Sequence, residues 1–222
     1  MKCTICKADA VVKLRAHNSA FCRDCFLKFF TNQIQRGIEK ENLFTRDDRI
    51  LVCISGGKDS LSLLYELTQL GYDVTGLFID LSIPAVRRPI CSVCGKIKRY
   101  YFNKIAMDNG FTALATGHNL DDEVARLFSN TLRWDKAYLS TEGPLLPAEN
   151  GFVKKVKPLW RLTEYETATF AFLMGIHPHS APCPYSTGAS FTVLKGIMQR
   201  LEHVMPGRKL DFYQNFLKRG RE

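Results

Sequence analysis

The sequence has no run of about 18 uncharged apolar residues, so a membrane-spanning helix is not expected. Its first residues, MKCTICK, lack the apolar stretch of a secretory signal, which points to a cytoplasmic chain. No internal repeat and no low-complexity segment breaks it up. Between Asp80 and Asp108 there is not one acidic residue, although Arg87, Arg88, Lys96, Lys98, Arg99 and Lys104 all fall there. That imbalance favours phosphate contact, and the net charge of +9 suits a polyanionic partner. Further basic groups are Lys154, Lys155, Lys157 and Arg161, and a tail from Lys195 to Glu222 that reads equally well as solvated surface.

What is present in excess is cysteine in pairs. Eight cysteines occur, and six of them fall in three CxxC pairs: Cys3 and Cys6, Cys22 and Cys25, Cys91 and Cys94. In a reducing compartment such pairs indicate metal or redox chemistry rather than disulfides. The first two pairs are separated by fifteen residues, the four-cysteine zinc pattern. A closed thiolate site would fold a segment too short to bury its own core.

Residues 26–40 have the spacing of an amphipathic helix, followed by a polar stretch over 41–48. From residue 49 strands and helices alternate. Strands are expected at 49–55, 72–80 (buried) and 111–117. Helices are expected at 59–70, 95–109, 121–132, 163–174, 191–205 and beyond Pro206. Residues 135–153 and 177–188 read as irregular. The fold class is therefore α/β, a doubly wound, mostly parallel sheet with a small N-terminal zinc finger. The expected units are a finger at 1–27, a helical linker at 28–48, a nucleotide domain at 49–188 and a basic helical segment at 189–222.

Ser55-Gly56-Gly57-Lys58-Asp59-Ser60 lies between a strand and a helix. Glycines let backbone N–H groups approach a phosphate, and the helix start adds partial positive charge. Lys58 supplies a full charge, and Ser55 and Ser60 supply hydroxyls. The Walker pattern GxxxxGK[ST] is absent. The SGGKDS loop resembles the pyrophosphate loop of the N-type ATP pyrophosphatases, which cleave ATP between the α- and β-phosphates. The resemblance implies ATP as substrate, Asp59 holding Mg2+ or the phosphates, and adenine near Cys53 and Ile79.

Cys91 and Cys94 open a helix, and Cys183 follows about ninety residues later in SAPCPYS. Three thiolates suit a 4Fe-4S cluster with one open iron. A redox pair, a persulfide-bearing cysteine and a second zinc site are the alternatives. Asn119 or Asp121 in GHNLDDE suits the cap of the next helix. Taken together, SGGKDS, CSVCGKIKR, GHNLDDE and CPYS resemble the TtcA/TtuA family of tRNA 2-thiolation enzymes, in its TtuA-like branch. By that resemblance Cys91, Cys94 and Cys183 hold a 4Fe-4S cluster. Gly117 contacts nucleotide, Lys98 faces the nucleotide and the catalytic centre, Asp122 is catalytic with Asp59 and Lys98, and Cys3, Cys6, Cys22 and Cys25 hold Zn2+. The implied partners are tRNA, a sulfur donor (free sulfide or a thiocarboxylated ubiquitin-like protein) and a second copy in a homodimer. TtuA-like enzymes carry a second, C-terminal finger, whereas no cysteine follows Cys183 here. The basic tail or a dimer partner is the expected substitute. Rival readings are the same machinery acting on a small molecule or removing sulfur, an ammonia-using ligase, and a non-catalytic zinc-finger RNA binder.

Overall fold

The computed structural model describes residues 1–81, 91–179 and 190–219. The finger consists of strands β1 (Val12–Leu14) and β2 (Ser19–Phe21), paired antiparallel, leading into helix α1 (Arg23–Lys40). Phe26, Phe30 and Ile34 of α1 are fully buried. Phe30 stacks on Phe170 at 4.0 Å, which seats α1 in the main core.

The main sheet has five strands in the order β4-β3-β5-β7-β6. They are β3 (Arg49–Ile54), β4 (Asp73–Phe78), β5 (Ala113–Thr116), β6 (Leu145–Leu146) and β7 (Lys154–Val156). All neighbours run parallel except β6 against β7. Ile50, Val52, Ala113, Ala115 and Val156 point into the larger core, and Leu51 and Leu114 into a smaller one with Phe102 and Ala106. This two-faced burial is why strand residues alternate between cores yet read as continuous apolar runs.

Helices α2 (Lys58–Gln69), α3 (Cys91–Asp108), α4 (Leu120–Leu132), α5 (Lys136–Thr141), α6 (Glu164–Met174), α7 (Ser190–Val204) and α8 (Arg208–Arg219) complete the chain. Leu63 and Leu67 of α2 join Val124 and Leu127 of α4 in the larger core, whereas Phe102 and Ala106 of α3 cover the opposite face. α7 and α8 pack on α4.

Three expectations need correction. The strand at β4 is not buried: it lies at the sheet edge among the described residues, and four of its six positions are exposed, Phe78 to 56%. Its apolar run reads as interior, but the edge position leaves it open. Residues 135–153 are not simply a loop, because α5 and β6 form there. The basic run at 154–157 is a sheet strand and its exit, with Lys157 1% exposed. Lys157 is tolerated inside because its Nζ lies 2.6 Å from Glu123 Oε2. Lys209 of the basic tail is likewise buried, against Asp121 at 2.6 Å. No described helix is long and apolar enough to cross a membrane.

Candidate active site and metal centre

Where β3 ends, the chain turns through Ser55, Gly56 and Gly57 into α2. Gly56 has φ +81°, a conformation that suits glycine. The turn is tied by its own serines. Ser60 Oγ donates to the Gly57 carbonyl at 3.0 Å, the Ser55 N–H donates to Ser60 Oγ at 3.2 Å, and the Gly57 N–H donates to Ser55 Oγ at 3.3 Å. The serines expected to face phosphate thus also brace the loop. Gly117, just beyond β5, abuts it: a Cβ there would sit 2.8 Å from the Ser60 nitrogen. Any side chain at Gly117 would push the loop away, a physical reason for glycine in GHNLDDE.

Above this end of the sheet lies a cavity of about 970 Å³, bounded by the loop, α3, the start of α4 and residues 140–155. Cys53, Ser55, Asp59, Ser60, Gly117 and Asp122 line it, and Lys98 and Arg99 reach it from α3. Of the other predicted nucleotide residues, Gly56, Gly57 and Lys58 lie in the loop beside the lining, whereas Ile79 packs against the smaller core. Burial pushes the Cys53 thiol up to about 12, which makes it a neutral wall rather than a nucleophile.

Asp59 Oδ2 lies 3.2 Å from Lys58 Nζ, while Oδ1 is buried with no hydrogen-bond partner among the described residues. An orphaned carboxylate oxygen on the wall of a phosphate-type loop fits a hard divalent cation such as Mg2+. Asp122 is held twice. Its Oδ2 accepts the Asn119 backbone N–H at 3.1 Å, closing a capping box in which Asn119 Oδ1 accepts the Asp122 N–H. Its Oδ1 lies 2.6 Å from Lys195 Nζ of α7. The helix-start reading of GHNLDDE is borne out, and the same carboxylate that caps α4 also lines the cavity.

The first turn of α3 carries Cys91 and Cys94. Gly95 and Lys98, one position and one turn beyond Cys94, line the cavity, so this turn borders the site. The Lys98 ammonium stands over the Phe78 ring at 5.6 Å. Arg87, Arg88 and Cys183 lie outside the described residues.

Three residues outside the predicted site lie on or beside this cavity. His118 lines the cavity and shares a 2.8 Å hydrogen bond with Thr116 Oγ1. Burial takes its imidazole down to about 4, so it is neutral at pH 7. Lys155, which the sequence places only in a basic group that reads as solvated surface, is half-buried in the cavity wall, where burial lowers its ammonium to about 8. Glu164, the first residue of α6, lies 3.1 Å from Lys58 Nζ. The only available signal was position: His118 belongs to GHNLDDE, and Glu164 follows a capping threonine.

In the finger, the sulfurs of Cys3, Cys6, Cys22 and Cys25 all lie within 4.8 Å of one another. Burial opposes a thiolate at Cys3, but the backbone N–H groups of Cys6, Cys22 and Ile5 outweigh it and take that thiol down to about 6. Burial and the neighbouring sulfurs push Cys25 up to about 12. Four thiolates cannot coexist at this spacing without a cation, and the set fits tetrahedral zinc.

Residues 2–27 match the family described as "2-thiouridine synthetase TtuA, N-terminal LIM domain". The chain is 38% identical to the tRNA-5-methyluridine(54) 2-sulfurtransferase of Pyrococcus horikoshii, with 99% of this chain and 83% of that protein covered. This chain belongs to the TtuA-like tRNA 2-thiolation family. The protein of the same name from Thermotoga maritima is 37% identical, covering 100% of this chain and 86% of its own length. The U34-tRNA thiolase NcsA from Methanococcus maripaludis, solved with its 4Fe-4S cluster, shares the fold. Its TM-score is 0.82 at 22% identity, over 100% of this chain and 89% of that one. The Pyrococcus match spans 256 positions against 222 residues here, so at least 34 positions of that match have no counterpart.

Proposed function

We propose that this chain is an ATP-dependent tRNA 2-sulfurtransferase that adenylates the 2-carbonyl oxygen of a uridine and replaces that oxygen with sulfur. The observation that carries the reading is the convergence on one cavity of Ser55, Asp59 and Ser60 of the SGGKDS loop, Gly95 and Lys98 of α3, which follow Cys94, and Asp122. The names of the Pyrococcus and Thermotoga relatives support 5-methyluridine 54 of tRNA as the target.

In this reading the loop N–H groups and Lys58 hold the triphosphate, and Asp59 Oδ1 takes the accompanying Mg2+. The base oxygen bonds to the α-phosphorus as the bond to the β-phosphate oxygen breaks and pyrophosphate leaves. Lys58 and Lys98 offset the charge that develops on the phosphates. A sulfur nucleophile then bonds to the base carbon, the carbon–oxygen bond breaks, and AMP departs. Asp122 takes up a proton or shares the metal. Cys91, Cys94 and Cys183 are the proposed ligands of a 4Fe-4S cluster, which when bound supplies an iron free of protein thiolate to hold sulfide. His118, neutral and hydrogen-bonded, serves as wall rather than as acid.

We further propose free sulfide or a thiocarboxylated ubiquitin-like protein as the donor, a homodimer as the working form, and the cytoplasm as its location. The functional units proposed are the finger at 1–27, the linker at 28–48, the nucleotide domain at 49–188 and the C-terminal segment at 189–222. The test is pyrophosphate release by anaerobically reconstituted protein with bulk tRNA against free nucleobases. Stimulation of pyrophosphate release by tRNA alone is the expected result, with 2-thiouridine formation lost in Cys91→Ala; indifference to tRNA overturns the substrate.

A further inference from the structure

Four charges alternate across the mouth of the site. Lys58 Nζ lies 3.1 Å from Glu164 Oε1. Glu164 Oε2 lies 3.4 Å from Lys195 Nζ, and Lys195 Nζ lies 2.6 Å from Asp122 Oδ1. Each member comes from a different helix: α2, α6, α7 and α4. The series joins the phosphate loop to the carboxylate assigned to the chemistry, and neither Glu164 nor Lys195 has yet been given a role.

We propose that Glu164 and Lys195 are positioning residues that link phosphate binding to the availability of Asp122. Glu164 competes with nucleotide phosphates for Lys58, and once displaced it draws Lys195 away from Asp122. The inference rests on the nucleotide reading of the SGGKDS loop.

The geometry supports each part. Glu164 is fixed at its backbone, whose N–H donates to Asp121 Oδ2 at 2.8 Å, while Thr163 and Glu166 cap the same turn. Its carboxylate is therefore delivered to Lys58 by a rigid helix start and does not wander there from solvent. Burial works against its charge, but Lys195 and Lys58 outweigh burial and hold the carboxyl below its usual range. It is thus an anion at neutral pH, the kind of partner a phosphate would replace on Lys58. The triphosphate carries several negative charges and wins that lysine by number.

Glu164 then keeps one cation in place of two. The 3.4 Å contact to Lys195 has slack to close, whereas the 2.6 Å contact between Lys195 and Asp122 has none. Closing the first lengthens the second. Asp122 is left with the Asn119 N–H as its remaining close partner among the described residues, and its Oδ1 is open to a proton or a metal. All four side chains are partly shielded, from 18% exposed at Asp122 to 37% at Glu164, so the pairs are screened less than surface ones.

The test uses α,β-methylene-ATP with magnesium as a probe that the loop cannot cleave, titrated calorimetrically into the full chain. Glu164→Gln is expected to bind it about three- to five-fold more tightly, since one competitor of modest strength is removed. The same variant is expected to show a lower KM for ATP together with a lower kcat, because binding no longer releases Asp122. In a Lys195→Met background, Glu164→Gln still tightens binding but has no further effect on kcat. Glu164→Asp keeps the charge and the helix start yet falls one methylene short of Lys58, so it gives an intermediate gain even if the glutamine variant folds poorly. Unchanged or weaker probe binding in both variants, with wild-type binding intact, overturns the inference and leaves the proposed function standing. Tighter binding without tRNA-stimulated pyrophosphate release in the wild type does the reverse.

Discussion

Two groups of basic residues in this chain look alike in sequence and are used in opposite ways. Just after β7 and on α8, Lys157 and Lys209 are 1% and 4% exposed, and each closes on a buried carboxylate, Glu123 and Asp121. On α3, Lys96 and Arg99 are exposed and Lys98 is half-buried, and no described carboxylate pairs with any of them. The first group ties the end of β7 and the C-terminal helix α8 to α4. The second group has no acidic partner among the described residues, as the proposed anionic ligand would require. Net charge therefore overstates the surface available to a polyanion, and which lysines have acidic partners decides where such a ligand lands.

The strongest way to break this comparison is at Lys157. Glu123 is fully buried, and Lys157, Arg126 and Tyr213 all reach it. Lys157→Ala should cost about 3–5 kcal/mol in urea unfolding, because it strands part of a buried charge. The double change Lys157→Met with Glu123→Leu should recover much of that loss. Lys98→Ala should behave in the opposite way. Melting should stay within about 0.5 kcal/mol of wild type, while pyrophosphate release falls on the order of 100-fold. If both variants lose stability alike, the division between the groups fails.

A pH measurement sharpens the same contrast from the cavity side. His118 sits near Glu123, Lys155, Arg126 and Lys157, and burial takes it down to about 4 against an ordinary 6.5. Above pH 7 the ring is neutral in both folded and unfolded chains and contributes nothing. As pH falls from about 6.5 to about 4, only the unfolded chain gains the proton, so stability declines, by roughly 3 kcal/mol in all. Thermal melts across that window should show the decline, and His118→Gln should flatten it. The smallest expected effect is at Arg99. Arg99→Gln should weaken tRNA binding modestly and reduce the salt slope by about one unit, where Lys154→Gln, whose partner is Asp48 at 2.8 Å, leaves the slope unchanged.

What could be read in the sequence and what could not divides along a physical line. The SGGKDS turn, the start of α4 at Asn119 and the four-cysteine finger were legible, because glycine conformation, capping and thiolate spacing are local properties. The alternation of strands and helices was legible for the same reason. Glu164 was not, since nothing near it in sequence says that Lys58 lies 3.1 Å away. Strand β7 was missed because a run of lysines reads as surface. Its strand character comes from pairing with β5, and its charge is accepted because α4 brings Glu123 to it. β4 failed in the other direction: its apolar run was legible, but its position at the sheet edge was not.

That edge has a consequence for how the molecule breathes. A parallel edge strand bonded only on its β3 side points every second amide away from its neighbour, and on β4 those amides have no strand beyond them among the described residues. Hydrogen exchange along Asp73–Phe78 should therefore show a checkerboard, alternate amides exchanging early while their neighbours stay protected. The sheet would begin to open from β4 inward, next to the cavity that holds the phosphate loop.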